Sequence, residues 1–488
     1  MTSNTTPSNA PKPSRSPNSK WLAMLGIGLG VLMFTVDTSI VNIALPTLVQ
    51  TLNTTFAAIQ WVVLSYLLVV TALVLGVARL GDMLGKKRLY LGGLILFTIA
   101  SLLCGLAPSV GWLIGFRALQ GLGAVFISAL GAAIITEVFP DSERGRALGI
   151  IGAIVSLGIA LGPSLGGLII GISGWRTIFL VNVPLGIIAS FIIVRVIPSS
   201  ARSNVKQRFD LLGSLLITVT LVFFALGMTY GQTHGFSSGI TLTLLGFTAI
   251  TLVAFLALEA RLEQPTLDLR IFRNLQFSLS LLMGLLVFIV IAGVIFILPF
   301  FLELVKHYPT QQVGLLLAVS PVLGGIIAPI SGTLSDRFGP RIISLIGLML
   351  MVTGCFLLST LDAQMTDLGY ILRVAPFGIG LGMFQSPNNS AIMGGVPRER
   401  LGIASGLLSL SRTLGQTAGL PLLAALFATL TLTRANLAPN IDVTAAPVEA
   451  LVYGTQGAFR ASALILCAAA VLTAFVWRIE SRQRHLSR

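Results

Sequence analysis

The stretch Arg79-Leu80-Gly81-Asp82-Met83-Leu84-Gly85-Lys86-Lys87 decides the reading of the fold. It closes one apolar run, near 59–81, and opens another, near 89–107. A second version, Thr333-Leu334-Ser335-Asp336-Arg337-Phe338-Gly339-Pro340-Arg341, joins the runs near 310–334 and 341–360. Asp82 and Asp336 stand 254 positions apart, and Arg117 and Arg373 repeat at nearly that offset. Other apolar runs lie near 21–45, 111–138, 146–172, 176–197, 211–231, 239–259, 277–304, 367–393, 399–431 and 457–478. A helix that spans a bilayer needs about 20 mostly apolar residues. The expected fold is therefore an all-α polytopic membrane protein of about 14 transmembrane helices. The repeat divides it into two six-helix bundles, 21–197 and 276–480. A linker, 198–275, carries two extra transmembrane helices, and tails occupy 1–20 and 481–488. Two parallel six-helix units with a site between them are a transporter plan.

Composition agrees. The 488 residues are 55% hydrophobic and 10% charged, with a mean hydropathy of +0.93, whereas soluble domains carry about 25% charged residues. The net charge of +14 does not point to nucleic acid, because the bases fall in short loops between the runs. With the N-terminus inside, 23 of the 31 Lys and Arg residues lie in cytoplasmic segments, so both termini are expected there. Residues 1–20, rich in Ser, Thr, Asn and Pro, read as a disordered cytoplasmic tail without a cleavable signal pattern. Residues 481–488 read as a basic cytoplasmic tail. Cys104, Cys355 and Cys467 all sit in apolar runs and read as small buried hydrophobes. His234, His307 and His485 have no paired metal spacing, and no phosphate-binding loop or nucleophile elbow is present. No metal, no cofactor and no enzymatic activity are expected.

The chemistry is expected where charge interrupts the apolar runs. Asp37 lies inside the first run, roughly 14 Å short of its outer end. An acid there costs about 2.5–3.5 kcal/mol to insert, so it marks function by default. Burial favours the neutral carboxylic acid, which makes Asp37 a candidate proton carrier. Arg117 lies roughly 9 Å below the outer surface at 1.5 Å per residue. It is placed either to tune proton release from Asp37 or to snorkel to the outer headgroups. Arg412 lies mid-span and should face a wet cavity or an acid. Glu303 ends its run beside Lys306 and is either half of a surface pair or a second protonatable site.

The two repeated loops are read as conformational latches built from Asp82, Gly85 and Lys86 and from Asp336, Arg337 and Gly339. Gly85 and Gly339 permit the sharp turn. Asp82 suits the N-terminus of the 399–431 helix, and Asp336 that of the 146–172 helix. The fifth run carries Gly158, Gly162, Gly166 and Gly167 with Pro163 beside them; the glycines at i, i+4 and i+8 line one face for close helix approach, as simple packing or as a flexible joint between the halves, and Pro163 should bend the helix. Asn42, Gln120, Asn182, Gln385, Asn388 and Asn389 are polar groups in apolar runs, candidates to bridge helices or bind substrate. Phe34, Trp61, Tyr66, Phe296, Phe300 and Phe301 are candidates for an apolar cavity or for packing.

Taken together these motifs resemble those of the fourteen-helix drug:proton antiporters of the major facilitator superfamily. Asp37-Thr38-Ser39-Ile40-Val41-Asn42-Ile43-Ala44-Leu45-Pro46 is similar to that family's first-helix signature. Residues 78–87 resemble its loop motif, and Arg117 to Gly123 its fourth-helix motif. Gly158-x-x-x-Gly162-Pro163-x-x-Gly166-Gly167 resembles its antiporter motif, and Trp175-Arg176-x-x-Phe179-x-x-Asn182-x-Pro184-x-Gly186 also fits. The resemblance runs from 21 to about 480. Departures are Ala78 for a usual Gly, Met83 for a usual Arg, Pro340 for a usual base and Glu303 for an expected amide. The resemblance implies export of amphiphilic small molecules in exchange for protons by alternating access, with Asp37 carrying the proton and Arg117 assisting. It implies a monomer in a bacterial inner membrane, driven by the proton gradient and contacting substrate, protons and lipid. One acid against Arg117, Arg373 and Arg412 suits neutral, zwitterionic or monocationic amphiphiles better than dications. A dedicated exporter of one metabolite, siderophore or lipid-like molecule would share the same fold.

Overall fold

A computed structural model describes residues 17–140, 143–197, 211–262, 274–394, 401–439 and 441–486. Among these residues there are helices and no strands. In chain order the α-helices are α1 Pro17–Thr51, α2 Phe56–Leu84, α3 Lys86–Gly105, α4 Val110–Val138 and α5 Arg144–Ser173. A short α6, Thr177–Leu180, leads into α7, Asn182–Val196. Then come α8 Leu211–His234, α9 Gly239–Glu259, α10 Leu275–Phe300, α11 Thr310–Phe338, α12 Pro340–Leu358, α13 Asp367–Gly394, α14 Leu401–Arg434 and α15 Val448–Leu486. Among the described residues thirteen segments are long and apolar enough to cross a membrane, with α6 and α7 counted as one. The helix that misses this measure is α13, whose 28 residues include Arg373, Gln385, Asn388 and Asn389.

The sequence dictates these helices by exclusion. In hydrocarbon every backbone group must be satisfied within the segment, and only a helix does so for a single apolar run. Hydroxyls inside the runs fold back onto their own backbone. Thr35 donates to Val31 O at 2.9 Å, Thr98 to Leu94 O at 2.7 Å and Ser101 to Phe97 O at 2.8 Å. Thr55 caps α2 by accepting the Ala58 N–H at 3.1 Å, and Asn274 caps α10 by accepting that of Phe277 at 3.2 Å. The turns α2–α3 and α11–α12 each hinge on one glycine, Gly85 at φ 97° and Gly339 at φ 87°. Side chains rarely adopt that backbone, so the repeated glycine is a geometric requirement.

Helix α1 packs on α5 and α7, α2 on α4, and α3 on α4 and α7. In the second half α10 packs on α14 and α15, α11 on α13, and α12 on α13 and α15. Helices α8 and α9 pair with each other, and α8 also touches α2 and α14. Gln60 on α2 donates to Gln232 on α8 at 2.8 Å, which ties this pair to the first half. Helix α9 is the most exposed of the spans, with Ile240, Leu242, Ile250 and Val253 outward, as a lipid-facing helix requires. The halves meet chiefly through α5–α11 and α2–α14. Helix α1 begins at Pro17 and α15 continues to Leu486, so both expected tails are helical where they adjoin the spans.

Candidate functional site

Asp37 sits on α1 with none of its surface exposed. Its Oδ2 accepts Arg117 Nη1 from α4 at 2.6 Å. Its Oδ1 accepts Gln120 Nε2 at 2.8 Å and Asn182 Nδ2, at the start of α7, at 3.0 Å. One carboxylate thus draws N–H donors from two neighbouring helices. The donors are themselves held. Arg117 Nε donates to the Val62 carbonyl of α2 at 3.0 Å, and Nη1 also reaches Gln120 Oε1 at 2.6 Å. Its guanidinium lies over the Tyr66 ring, 4.2 Å from the centroid, with the Phe179 ring at 5.9 Å. Gln120 Nε2 completes its pair of bonds on Ser101 Oγ of α3 at 2.8 Å. Arg117 is itself only 1% exposed, so it does not snorkel to headgroups. Charge-assisted bonds of this kind are the strong ones.

The glycines of α5 serve two different neighbours. A side chain at Gly158 would strike Thr35, one at Gly162 would strike Ser39, and one at Gly166 would meet Ile40 and Ile43 of α1. Ser39 Oγ donates across this contact to the Gly158 carbonyl at 3.2 Å. Gly167 faces the other way. A Cβ there would lie 2.5 Å from Thr310 O and 3.1 Å from Gly314 Cα of α11. The Pro163 carbonyl also abuts Gly314. Helix α5 is therefore pressed between the helix that carries Asp37 and the opposite half.

The contacts recorded between the halves lie at mid-span or at the end remote from the termini. Thr71 of α2 meets Thr417 of α14, hydroxyl to hydroxyl, at 3.0 Å. Beyond it Phe56 packs against Phe296, Phe300 and Phe427, with ring centroids 5.2, 4.9 and 5.5 Å away. The Phe56 N–H donates to Asp442 Oδ2 at 2.7 Å, so a carboxylate from the α14–α15 connection caps α2 of the opposite half. Phe296 and Phe300, read as possible cavity residues, are buried parts of this closure. Glu303 lies nearby on a π-helical turn, Phe301–Val305, with Oε1 buried and without a hydrogen-bond partner. Lys306 does not pair with it. Lys306 Nζ donates instead to the Ala363 and Met365 carbonyls at 2.7 and 2.6 Å, which corrects the surface-pair reading.

The sequence over residues 27–420 matches the family model of the Major Facilitator Superfamily. The chain belongs to the Major Facilitator Superfamily. It is 36% identical over 410 residues to the riboflavin transporter RibZ of Clostridioides difficile, covering 84% of this chain and 88% of that one. It is 34% identical over 408 residues to the multidrug resistance protein Stp of Mycobacterium tuberculosis, covering 83% and 76%. Among solved structures, a bacterial homologue of the human lysosomal transporter Spinster, inward-facing and unoccupied, superposes with a TM-score of 0.69 at 16% identity. That match covers 95% of this chain and 98% of the other, and the likeness concerns the fold. The protein is a transporter of this superfamily and a multi-pass membrane protein.

In this transporter the remaining expected residues scatter. Asn42 Nδ2 bonds back to Thr38 O at 2.9 Å on its own helix. Phe34, Trp61 and Gln385 are half-buried. Asn388 Nδ2 donates to Ser280 O at 3.3 Å. Arg373 is engaged by Thr360 Oγ1 and Gly369 O, both at 3.0 Å. Arg412 faces no acid among the described residues. Its guanidinium stacks over the Phe288 ring at 5.1 Å, so of the two expected surroundings the acid partner is absent among the described residues and an aromatic face stands beside the group. In the first loop Lys86 Nζ bonds Glu137 of α4 at 2.5 Å, within its own half. Arg337 is exposed. The side chains of Asp82 and Asp336 lie outside the described residues, as do positions 395–400. Among the described residues no cluster of His, Cys, Asp or Glu is placed to hold a metal. Sequence reasoning missed Ser101, Asp442 and the packing role of Phe56. A lone Ser in an apolar helix, or an Asp in a long loop, carries no periodic signal. Asp442 is read correctly only once the loop is seen to cross to the other half.

Proposed function

We propose that the protein is a proton-coupled antiporter that exports amphiphilic small molecules by alternating access between two six-helix units. The observation that carries this reading is the enclosed carboxylate of Asp37, held by Arg117, Gln120 and Asn182. In the closed network the acid is charged and paired. A proton arriving at Asp37 neutralises it, weakens the bond to Arg117 and frees α1 from α4. Release of the proton re-forms the pair. An inward potential of 100 mV supplies about 2.3 kcal/mol per charge moved, enough to bias such a cycle. The recorded contacts close the end away from the termini. With both termini cytoplasmic in an inner membrane, this conformation is closed towards the outside. The loop latches at Asp82 and Asp336 act at the opposite end, and a monomer without cofactor suffices for the cycle.

A narrower reading is a dedicated carrier of one polar aromatic metabolite, favoured by the similarity to a protein named a riboflavin transporter. Proteoliposomes with an imposed inward proton gradient separate the two. Amphiphilic cations, neutral drugs, anions and riboflavin are added in turn, with Asp37→Asn as control. Polyspecific antiport gives proton movement with several unlike compounds that is lost in Asp37→Asn. A response to one compound alone establishes the narrow carrier, and proton-coupled transport by Asp37→Asn removes the coupling role.

A further inference from the structure

The two intramembrane arginines nearest the middle of the transporter differ in one respect. Arg117 is neutralised by Asp37. Arg412 is not neutralised: among the described residues it makes no hydrogen bond or ion pair, and its Nε is buried without a partner. A second orphan belongs to the same region. Asn388 spends its Nδ2 on Ser280 O, while its Oδ1 is buried and unpartnered. Both residues border one face of α10. Ser280, Gly284 and Phe288 follow each other at intervals of four residues and share that face. Arg412 stacks on Phe288. A Cβ at Gly284 would stand 3.5 Å from both Asn388 Nδ2 and Ser411 Oγ, in ordinary van der Waals contact, so Gly284 lies between them.

Position also matters. Arg412 lies five residues before Thr417, roughly 7.5 Å to the termini-proximal side of the Thr71–Thr417 contact. The recorded closure between the halves begins at that contact and continues away from Arg412. A guanidinium in an apolar span without a carboxylate is an incomplete arrangement. Ionisable groups within spans mark substrate or ion pathways. Of the charges on Asp37, Arg117 and Arg412, that of Arg412 is left over.

We infer that Arg412 and Phe288 form a substrate subsite for an anion, an aromatic or apolar molecule bearing one carboxylate, while Asn388 Oδ1 accepts an N–H or O–H of the same molecule. The guanidinium fork donates two in-plane N–H bonds to the oxygen pair of a carboxylate, while its stacking on Phe288 holds it in position. This deepens the proposed transport function and rests on it for the word substrate. It departs from the neutral, zwitterionic or monocationic amphiphiles expected from the balance of charges in the spans.

The test uses the full chain in lipid nanodiscs and three matched probes, 2-naphthoate, 2-naphthamide and 2-naphthylmethylammonium, titrated calorimetrically. The anion is expected to bind about 10-fold or more tighter than the amide, the yield of one charge-assisted bond pair in a low-dielectric site. Arg412→Gln should erase that advantage, and Arg412→Lys should keep part of it. Equal affinities, tighter ammonium binding, no heat with any probe, or an anion preference that survives Arg412→Gln each overturn the inference. If Arg412→Gln does not insert, the ranking of the three probes on the unaltered protein decides. Anion-selective binding without proton movement in proteoliposomes keeps the subsite and refutes antiport. Proton movement with ammonium preferred does the reverse.

Discussion

Separating Asp37 from Arg117 should cost stability unequally according to which partner is removed. Their charge centres lie about 4 Å apart, which corresponds to about 4 kcal/mol of attraction at an effective dielectric of 20. In Arg117→Gln the Asp37 carboxylate stays fully buried, with the Gln120 and Asn182 amides but no cation. Stranding a buried charge in this way costs about 3–5 kcal/mol. In Asp37→Asn the arginine still has the Val62 carbonyl, Gln120 Oε1 and the Tyr66 face. Its loss should be nearer about 2 kcal/mol, the value of one charged hydrogen bond. Removing both charges strands neither. The double variant should therefore be more stable than Arg117→Gln alone, with a coupling of about 2–3 kcal/mol. Thermal unfolding in detergent, followed by tryptophan fluorescence, reads this order directly. Losses that add within about 0.5 kcal/mol in the double variant would show that the contact contributes nothing as a pair, and the network account would fail.

Three other perturbations address other parts of the structure. Phe56→Ala removes a ring packed against three others at the closure and should cost about 3–5 kcal/mol of that contact, while Asp442→Asn weakens one charged cap by about 1 kcal/mol. Both should widen the distance between spin labels at the termini-distal ends of α5 and α11, and unchanged distance distributions would refute the closure role. Gly162→Val drives two methyls into Ser39 and should destabilise by about 1–3 kcal/mol, whereas Gly115→Ala, with nothing within 4 Å of its added carbon, should be neutral or better. Similar melting temperatures for those two variants would contradict the α1–α5 packing described. Glu303→Gln should alter the pH dependence of transport without abolishing it if the acid on the π-helical turn is a second proton site. An unchanged profile would return Glu303 to a structural role.

Much of the architecture was legible because membrane insertion constrains sequence so tightly. Run length announces each helix, and the Asp-x-x-Gly turn, seen twice, announces the internal repeat. Gly85 and Gly339 then take the positive φ angles that the motif demands. The pairing of Asp37 with Arg117 was open, because two helices at similar depth need not face each other. The glycines at i, i+4 and i+8 keep the single face that their spacing announces, and Gly167 serves another neighbour. Positions 158, 162 and 166 advance by four residues and stay on one side of the helix, while 167 is turned by about 100° from 166. Periodicity supplied that angle but not the identity of the helix on each side. Arg373 was counted with the cavity charges. It is instead spent on Thr360 and Gly369, because an arginine near a helix end finds local acceptors that no spacing rule reveals.

The two-sided packing of α5 constrains how an event at Asp37 reaches the opposite half. Helix α1 has two ways to move once its acid lets go of Arg117. It slides along the Gly158–Gly162–Gly166 face, or it carries α5 with it. Sliding must break the hydrogen bond from Ser39 Oγ to the Gly158 carbonyl and drag Thr35 and Ser39 past a surface with no side chains to spare. Carrying α5 keeps those contacts and transfers the displacement to Gly167 against Thr310 and Gly314 of α11. Close-packed interfaces yield by discrete rearrangement rather than by continuous deformation. In the proposed cycle the side without a cross-helix hydrogen bond among the described residues moves first. The α5–α11 side joins two separate halves, whereas the α1–α5 side belongs to one half and has its own cross-helix hydrogen bond. In the proposed cycle, protonation of Asp37 thus opens the seam between α5 and α11 while α1 and α5 travel as one body. A disulfide between cysteines placed at Ser39 and Gly162 would leave that motion intact, and one between Gly167 and Gly314 would stop transport. If the first cross-link stops transport and the second does not, α1 slides and the order of events is reversed.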